Sequence, residues 1–201
     1  MQEKENGVDS PRIVLVRHGR PEWNTGVWIR GHELAGHIRG RDLAPIDPTF
    51  PPSDELKELA RTSDLIVAST LRRSYESAEL LAPDAPITVD ALFREVFTPT
   101  AFTSGVRLPA KLWGGMARLR WLAGWSPGVE SYREAKLRAH QAATTLDALS
   151  EQRGNVLLAA HGIMNGLIAR SLRKNGWKGP FLRGRRYWSF MIYEKSRSVG
   201  R

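Results

Sequence analysis

The sequence predicts an α/β fold, a three-layer α/β/α sandwich with a mostly parallel central sheet. Short apolar runs typical of buried strands occur at residues 12–16, 64–68 and 155–160. Segments with helical character separate these runs, and strands that alternate with helices favour a parallel sheet covered by helices. The length of 201 residues, with 41% hydrophobic and 25% charged, fits a single domain over residues 1–201.

The first sixty residues are expected to contain one strand, one long loop and one helix. A loose start over residues 1–10 leads into strand 12–16. Residues 20–52 are rich in Gly, Pro, Trp and Arg without a sustained period, which is typical of a loop. Ser53 then provides an N-cap for a helix over residues 54–61, because its hydroxyl can accept a hydrogen bond from the first turn.

The remaining elements continue the alternation, apart from an insertion. Strand 64–68 leads to a helix that ends near Leu81, and a short strand follows at residues 86–89. Residues 97–128 carry prolines, paired glycines and three tryptophans, and they are expected to be irregular. A long helix, a strand, a helix and a late strand are predicted over residues 130–150, 155–160, 163–173 and 187–193.

Polar side chains follow several of the predicted strands. Arg17-His18-Gly19 ends the first strand, and His161-Gly162 ends the strand at residues 155–160. Arg73 lies just beyond the second strand, and Glu95 follows the short third strand. Because parallel strands present their carboxyl ends to one crevice, we expect these side chains to meet there.

Such a cluster of guanidinium and imidazole groups is costly to bury unless an anion occupies it, and arginine forks match phosphate oxygens. A neutral imidazole can attack phosphorus, and a carboxyl can act as general acid. The sequence has no Walker-type glycine loop and no evident aspartate pair for magnesium, so neither a metal nor a cofactor is expected. His32, Glu33 and His37 lack the i, i+4 histidine spacing of a helical zinc site.

Five short segments, all within about residues 12–170, form a recognisable series. They are Leu15-Val16-Arg17-His18-Gly19 with Asn24 five residues beyond it, Ser69-Thr70-Leu71-Arg72-Arg73-Ser74, Phe93-Arg94-Glu95, Gly128-Val129-Glu130-Ser131 and Ala160-His161-Gly162. In this order they closely resemble the signature blocks of the histidine phosphatase superfamily (branch 1), which includes the cofactor-dependent phosphoglycerate mutases. The resemblance implies a phosphoglycerate mutase-like fold.

The resemblance also implies a role for each matching residue. His18 would attack phosphorus and become phosphohistidine, while Glu95 would protonate the leaving oxygen and then activate water. The phosphoryl oxygens would be held by Arg17, Arg73 and His161, with Gly162 and Asn24 also at the phosphate or substrate. We therefore predict a metal-independent phosphatase that hydrolyses phosphate monoesters.

Two alternatives remain open at this point. Mutases carry a substrate block rich in Arg and Tyr after the acid glutamate, where this chain has Val96-Phe97-Thr98-Pro99. A mutase-type phosphotransferase would use the same phosphohistidine but transfer the group to another hydroxyl. A non-catalytic binding module would instead use the basic C-terminal region.

The insertion at residues 97–128 is interpreted as a lid over the reacting phosphate. Its tryptophans, Trp113, Trp121 and Trp125, offer a rigid apolar area suited to an organic leaving group. The competing interpretation is that they fill the core or a dimer interface. Glu22 and Glu130 are kept as alternatives to Glu95 for the acid.

The formal net charge of +9 lies almost entirely in residues 170–201, which hold ten Lys and Arg and one acidic residue. Such a run is typical of a solvated surface, and otherwise of a contact surface for an acidic partner. The chain has no cysteine, no apolar run near the ~20 residues that cross a membrane, and no apolar signal segment in residues 1–10. We expect a cytoplasmic enzyme that binds a phosphorylated small molecule, and neither membrane nor nucleic acid; a homodimer is left open.

Overall fold

Seven strands and six helices make up the part of the chain that the computed structural model describes, which is residues 10–181, 184 and 186–195. The strands are β1 (Arg12–Arg17), β2 (Trp28–Arg30), β3 (Leu65–Ala68), β4 (Ile87–Val89), β5 (Arg107–Pro109), β6 (Val156–Ala160) and β7 (Phe190–Glu194). The helices are α1 (Leu34–Leu43), α2 (Asp54–Arg61), α3 (Arg72–Leu81), α4 (Ala110–Leu122), α5 (Tyr132–Arg153) and α6 (Gly162–Lys174), and short 3₁₀ turns cover Gly31–Glu33 and Ala91–Phe93. Most of the predicted loose start and part of the basic C-terminal region lie outside the described residues.

The central sheet has the strand order β4-β3-β6-β1-β7. Its first four strands are parallel, and β7 joins the edge antiparallel to β1. In the register of β1 and β6, Ile13 lies opposite Val156 and Arg17 lies opposite Ala160. The prediction of a mostly parallel sheet is therefore confirmed, and the ends of β1 and β6 that carry histidines lie side by side.

Alternate residues of β1 face opposite sides of the sheet, as strand geometry requires. Ile13 and Leu15 belong to the larger buried cluster, which α5 and α6 complete on one face. Val14 and Val16 belong to a second buried cluster, which α2 and α3 complete on the other face. The two layers of helices hold β1 rigidly between them, and this fixes the position of the residues that follow it.

Local signals explain where the predicted helices begin and end. The Ser53 hydroxyl accepts a hydrogen bond from the Leu56 amide at the start of α2, as predicted. Helix α5 begins at Tyr132, two residues later than predicted, because Ser131 and Glu134 form a capping box there. It ends before Gly154, whose φ of 98° suits glycine. None of the described helices is both long and apolar enough to cross a membrane.

The prediction of a continuous loop over residues 20–52 is wrong, because β2 and α1 lie within it. Helix α1 has no apolar stripe, since Leu34 is its one buried residue, and it contains Gly36 and Gly40, which are poor helix formers. The Trp23 ring occupies the space that a Cβ at position 40 would need. Packing of α1 against its neighbours thus stabilises a helix whose sequence lacks helical periodicity.

The prediction that residues 97–128 are irregular is wrong for β5 and α4. Strand β5 pairs antiparallel with β2, so the two segments that interrupt the α/β alternation pack on each other. Leu34, Trp113 and Ala117 form a third buried cluster between α1 and α4. Together these elements build a small unit beside the carboxyl ends of the sheet strands.

Candidate active site

A crevice of about 800 Å³ opens where β1 and β3 end, with residues of α1 and α4 on its other walls. Arg17, His18, Arg73 and Glu95 all line it. His161 lies behind His18, fully buried, with 5.2 Å between the two ring centroids. The fold therefore brings together five side chains that are separated by up to 144 residues along the chain.

His18 follows β1 and is 6% exposed. Its Nδ1 lies 2.7 Å from the Gly19 carbonyl oxygen, which can only accept, so Nδ1 carries the proton. The Nε–H group of Arg73 donates to Nε2 of His18 over 3.1 Å, so Nε2 presents a lone pair. Burial, and then the charge of Arg73, lowers the pKa of His18 well below 6.5. The ring is accordingly neutral, and its Nε2 is a nucleophilic atom.

Arg73 lies in the first turn of α3 and is 2% exposed. Its Nη1 donates to Oδ1 of Asp42 over 2.7 Å, while its Nε contacts His18. Burial lowers the pKa of Arg73 below its ordinary value, and the charge of Asp42 opposes that shift. The carboxylate of α1 thus orients the guanidinium toward the nucleophile.

His161 ends β6, and its Nε2 lies 2.6 Å from the Ser69 hydroxyl oxygen. Its Nδ1 is buried and makes no hydrogen bond to the described residues. Burial, followed by the proximity of His18 and Arg73, lowers the pKa of His161 well below 6.5. A buried polar nitrogen without a hydrogen-bond partner costs free energy. A ligand that forms a hydrogen bond with Nδ1 would therefore be stabilised here.

Arg17 is the last residue of β1 and lines the crevice. Its guanidinium stacks over the Tyr187 ring, 4.5 Å from the centroid, and Tyr187 also contacts the His18 ring at 5.6 Å. Gly162 lies against the Arg17 side chain, since a Cβ there would come 3.7 Å from Arg17 Nε. Burial lowers the pKa of Arg17 below its ordinary value. A delocalised cation in this position suits a phosphoryl group.

Glu95 follows the second 3₁₀ turn and reaches the start of α6. Its carboxylate accepts hydrogen bonds from the backbone amides of Ile163 at 3.3 Å and Met164 at 3.1 Å, and from its neighbour Val96 at 3.1 Å. Its negative charge acts to raise the pKa of both Arg17 and Arg73. These bonds hold the carboxylate in place at the crevice wall.

The structure does not bring Asn24 into this crevice. Asn24 is exposed, and its side chain accepts a hydrogen bond from the Gly26 amide over 2.9 Å, which is the turn geometry typical of asparagine. The alternative acids do not line the crevice either: Glu22 is exposed, and Glu130 pairs with Arg138. His37 accepts a hydrogen bond from Trp23, and the described residues contain no cluster of three metal-ligating side chains.

Two of the three tryptophans of residues 97–128 pack in the interior of the fold. Trp113 and Trp121 are buried, and their Nε1 groups donate to the carbonyls of Ile29 at 3.0 Å and Glu130 at 2.7 Å. Trp125 stacks on Arg120 at 3.9 Å. None of the three lines the crevice, which favours the competing interpretation that they serve packing, and their contact with the leaving group stays a prediction. Large aromatic side chains on the inner face of α4 anchor it to the rest of the fold.

Several residues of the site were missed by sequence reasoning. Asp42 is the one acidic residue of α1, and only its place in Gly40-Arg41-Asp42-Leu43, directly after an arginine, could have marked it. Tyr187 sits in the late segment before β7, where no motif points to it. Both contact the arginines of the crevice, and neither lies at the carboxyl end of a parallel strand.

The geometry is that of a cationic crevice beside a buried, neutral histidine, and comparison with known proteins identifies the family. The sequence profile of the histidine phosphatase superfamily (branch 1) matches residues 54–193, which include Arg73, Glu95 and His161. The chain belongs to that superfamily. It is therefore an enzyme of phosphate-monoester chemistry, and a phosphohistidine intermediate and independence from metals are typical of the family. The profile match begins at residue 54, after β1, and so does not include Arg17 and His18. The structure places these two residues beside Arg73, Glu95 and His161.

Solved structures share the fold at low sequence identity. The chain is similar to a structure described as mycobacterial hydrolase 1, with a TM-score of 0.63 and 23% identity over 96% of this chain and 92% of that one. It is also similar to mycobacterial glucosyl-3-phosphoglycerate phosphatase in complex with VO3, with a TM-score of 0.59 and 24% identity over 91% of this chain and 92% of that one. A third similar structure is phosphoserine phosphatase of Entamoeba histolytica, with a TM-score of 0.58 and 18% identity over 92% of this chain and 98% of that one. A search of curated protein sequences gives no significant match.

Proposed function

We propose that this chain hydrolyses phosphate monoesters of small molecules through a phosphohistidine on Nε2 of His18. The observation that carries the proposal is the state of the His18 ring. Its Nδ1–H bond to Gly19 fixes the tautomer, and the bond from Arg73 aims Nε2 at the cationic end of the crevice. Attack by a neutral imidazole needs this protonation state.

In the first step, the Nε2 lone pair forms a bond to phosphorus as the bond to the ester oxygen breaks. Glu95, in its acid form, gives its proton to the departing oxygen, so that an alcohol leaves. The Arg73 guanidinium exchanges its bond with Nε2 for one with a phosphoryl oxygen. Asp42 keeps the guanidinium in place through its bond to Nη1.

In the second step, water attacks the phosphohistidine. The Glu95 carboxylate takes a proton from the water, the P–N bond breaks, and its electron pair returns to Nε2. Arg17, Arg73 and Nδ1 of His161 stabilise the charge on the equatorial oxygens in both steps, because fixed donors in a site shielded from water act strongly on developing charge. Gly162, at the start of α6, lies at van der Waals distance from the Arg17 side chain.

One polypeptide supplies every side chain named in these steps, so the proposed catalytic unit is the monomer. The unit built from β2, α1, β5 and α4 acts as the cover of the crevice. It provides Asp42 from α1 and further lining residues from α4, while its own packing depends on the Trp113 cluster. In this proposal the whole unit, and not residues 97–128 alone, covers the crevice. Trp113 and Trp121 stabilise the unit by packing in its interior.

The experiment compares His18→Ala with His140→Ala, a matched change at an exposed histidine of α5. Release of inorganic phosphate from a panel of sugar, glycerol and amino-acid phosphates is measured with a chelator present, and the acid-labile phosphoenzyme is trapped by rapid quenching. His18→Ala is expected to lose both signals while His140→Ala keeps both. Turnover in His18→Ala above a tenth of the wild type would overturn the proposal. A phosphoenzyme that forms but releases phosphate only to an added alcohol would identify a phosphotransferase.

A further inference from the structure

A row of leucines on the outer face of α4 is largely exposed. Leu112, Leu119 and Leu122 are 54%, 68% and 54% exposed, at positions i, i+7 and i+10. Each residue turns a helix by about 100°, so the three side chains lie within one quarter of its circumference. The opposite face carries the buried Trp113 and Trp121. A helix that is apolar on both faces is typical of one covered on both, and contiguous exposed apolar side chains are typical of a contact surface.

Cationic side chains border this row on both sides. By the same helical geometry, Lys111 and Arg118 lie along one side of the row and Arg120 lies along the other. All three are exposed. Residues 96–129, which include the whole of α4, contain no Asp or Glu. Among the described residues, none of these three cations forms an ion pair within 4.0 Å. The outer face is therefore an apolar row between two cationic margins.

A partly exposed tryptophan lies near each end of α4. Trp28 of β2 is 59% exposed and pairs with Pro109, the residue before the helix. Trp125 follows the helix, is 37% exposed and stacks on Arg120 at 3.9 Å. Tryptophan is enriched where lipid meets water, because its ring is apolar and its N–H group is polar.

We propose that the outer face of α4 docks on the surface of an anionic phospholipid bilayer, with the helix in the plane of the interface. The three leucines enter the boundary of the acyl chains, and the three cations lie among the headgroups, as in other interfacial helices. Docking of this kind needs one apolar face, so it stands beside the finding that no described helix can cross a membrane. It departs from the expectation of no membrane partner, which considered spanning runs only. The inference is independent of the proposed function.

Charge favours this occupant over a second copy of the chain. In a two-fold dimer the outer face of α4 would meet itself, so its cationic margins would oppose each other. No acidic residue of segment 96–129 could pair with them, and like charges across an interface are costly. A bilayer that contains anionic lipid supplies both an apolar interior and the negative charge that these margins require.

The test measures cosedimentation of the full chain with phosphatidylcholine vesicles that contain or lack phosphatidylserine. The variant Leu112→Gln, Leu119→Gln is compared with Leu80→Gln, Leu137→Gln, which changes two exposed leucines of α3 and α5. No substitution alters the net charge, so any attraction through the basic C-terminal region is the same in all proteins. The wild type and the control are expected to bind vesicles with phosphatidylserine, and the α4 variant about tenfold more weakly. Added salt and omission of phosphatidylserine are each expected to weaken binding by the wild type.

Urea unfolding of each variant checks the fold, and all four leucines are exposed, so similar stabilities are expected. Leu119→Gln alone, at the most exposed of the three, is expected to weaken binding several-fold and provides a second test. Equal binding by wild type, α4 variant and control would overturn the proposal, because the attraction would then belong to other basic surfaces. A wild type that binds no vesicles would also overturn it. If that protein is a dimer that Leu112→Gln, Leu119→Gln dissociates in sedimentation equilibrium, the face is an interface between copies. Phosphate release from a soluble ester is expected to be the same in all of these proteins, and its absence from the wild type would refute the proposed function alone.

Discussion

Lowering the pH from 7.5 to 5.5 is expected to destabilise the folded chain through His18 and His161. Burial and neighbouring cations hold the pKa of both rings well below 6.5 in the fold. In the unfolded chain each ring takes up a proton near its ordinary pKa of about 6.5. The unfolded state therefore binds more protons below that pH, so the free energy of unfolding is fully retained above it and falls as the pH drops below it.

The magnitude follows from proton linkage. One histidine that is neutral in the fold and titrates at about 6.5 when unfolded loses about 1.4 kcal/mol of stabilisation between pH 7.5 and 5.5. Two such residues lose about 3 kcal/mol, a large part of the ~5–15 kcal/mol that stabilises a typical domain. For a chain of this size, that corresponds to a fall in Tm of roughly 5–10 °C.

The assay is urea unfolding at several pH values, for the wild type and for the double variant His18→Gln, His161→Gln. Carboxylates titrate in both proteins, so the difference between the two curves isolates the buried histidines. The wild type is expected to lose about 3 kcal/mol more than the double variant over this range, and each single variant about half as much. His140→Gln, at an exposed position, serves as control. Parallel curves for the wild type and the double variant would refute the neutral, buried assignment.

Three further predictions concern single side chains. Glu95→Gln is expected to slow hydrolysis of alkyl phosphates at least tenfold more than that of nitrophenyl phosphate, because the nitrophenolate leaving group needs no proton. Equal losses in kcat on the two substrates would assign Glu95 a structural role. Asp42→Asn removes the charge that orients Arg73, so kcat is expected to fall about tenfold. The Ki for inorganic phosphate is expected to stay the same or to decrease. An increased Ki with an unchanged kcat would contradict this. Trp121→Ala is expected to cost about 3–5 kcal/mol of stability in urea unfolding without changing the relative kcat/KM of different esters, and a changed substrate profile at unaltered stability would restore the idea that it contacts substrate.

The sheet and the phosphate end of the site could be predicted from sequence because their signals are local. The runs that form β1 and β6 are apolar, short and followed directly by histidine and glycine. Parallel pairing then brings His18 and His161 together with no further information. The start of α2 could also be predicted, because the Ser53 hydroxyl caps the helix by accepting a hydrogen bond from an amide within the first turn.

The cover of the crevice could not be predicted because its stability comes from contacts between distant segments. Helix α1 has one buried residue and two glycines, so no periodic pattern distinguishes it from a loop. Trp113 looks the same in sequence whether it faces a ligand or the core, and only the packing of α4 on Leu34 decides between them. Asn24 matches a family motif, but in this structure its side chain closes a turn, and its role at the phosphate or substrate stays a prediction.

The place of β1 between β6 and β7 has a consequence for the order in which the chain acquires activity. The strand that presents His18 is synthesised before both of its partners, which come from residues 156–194. Contacts between segments more than 140 residues apart form slowly, so we expect this closure to limit the rate of folding. A nascent chain that lacks β6 and β7 has neither the second histidine nor the Tyr187 platform under Arg17. Phosphate binding is therefore expected to arise in one late event, and ligands such as vanadate would accelerate refolding only after that closure.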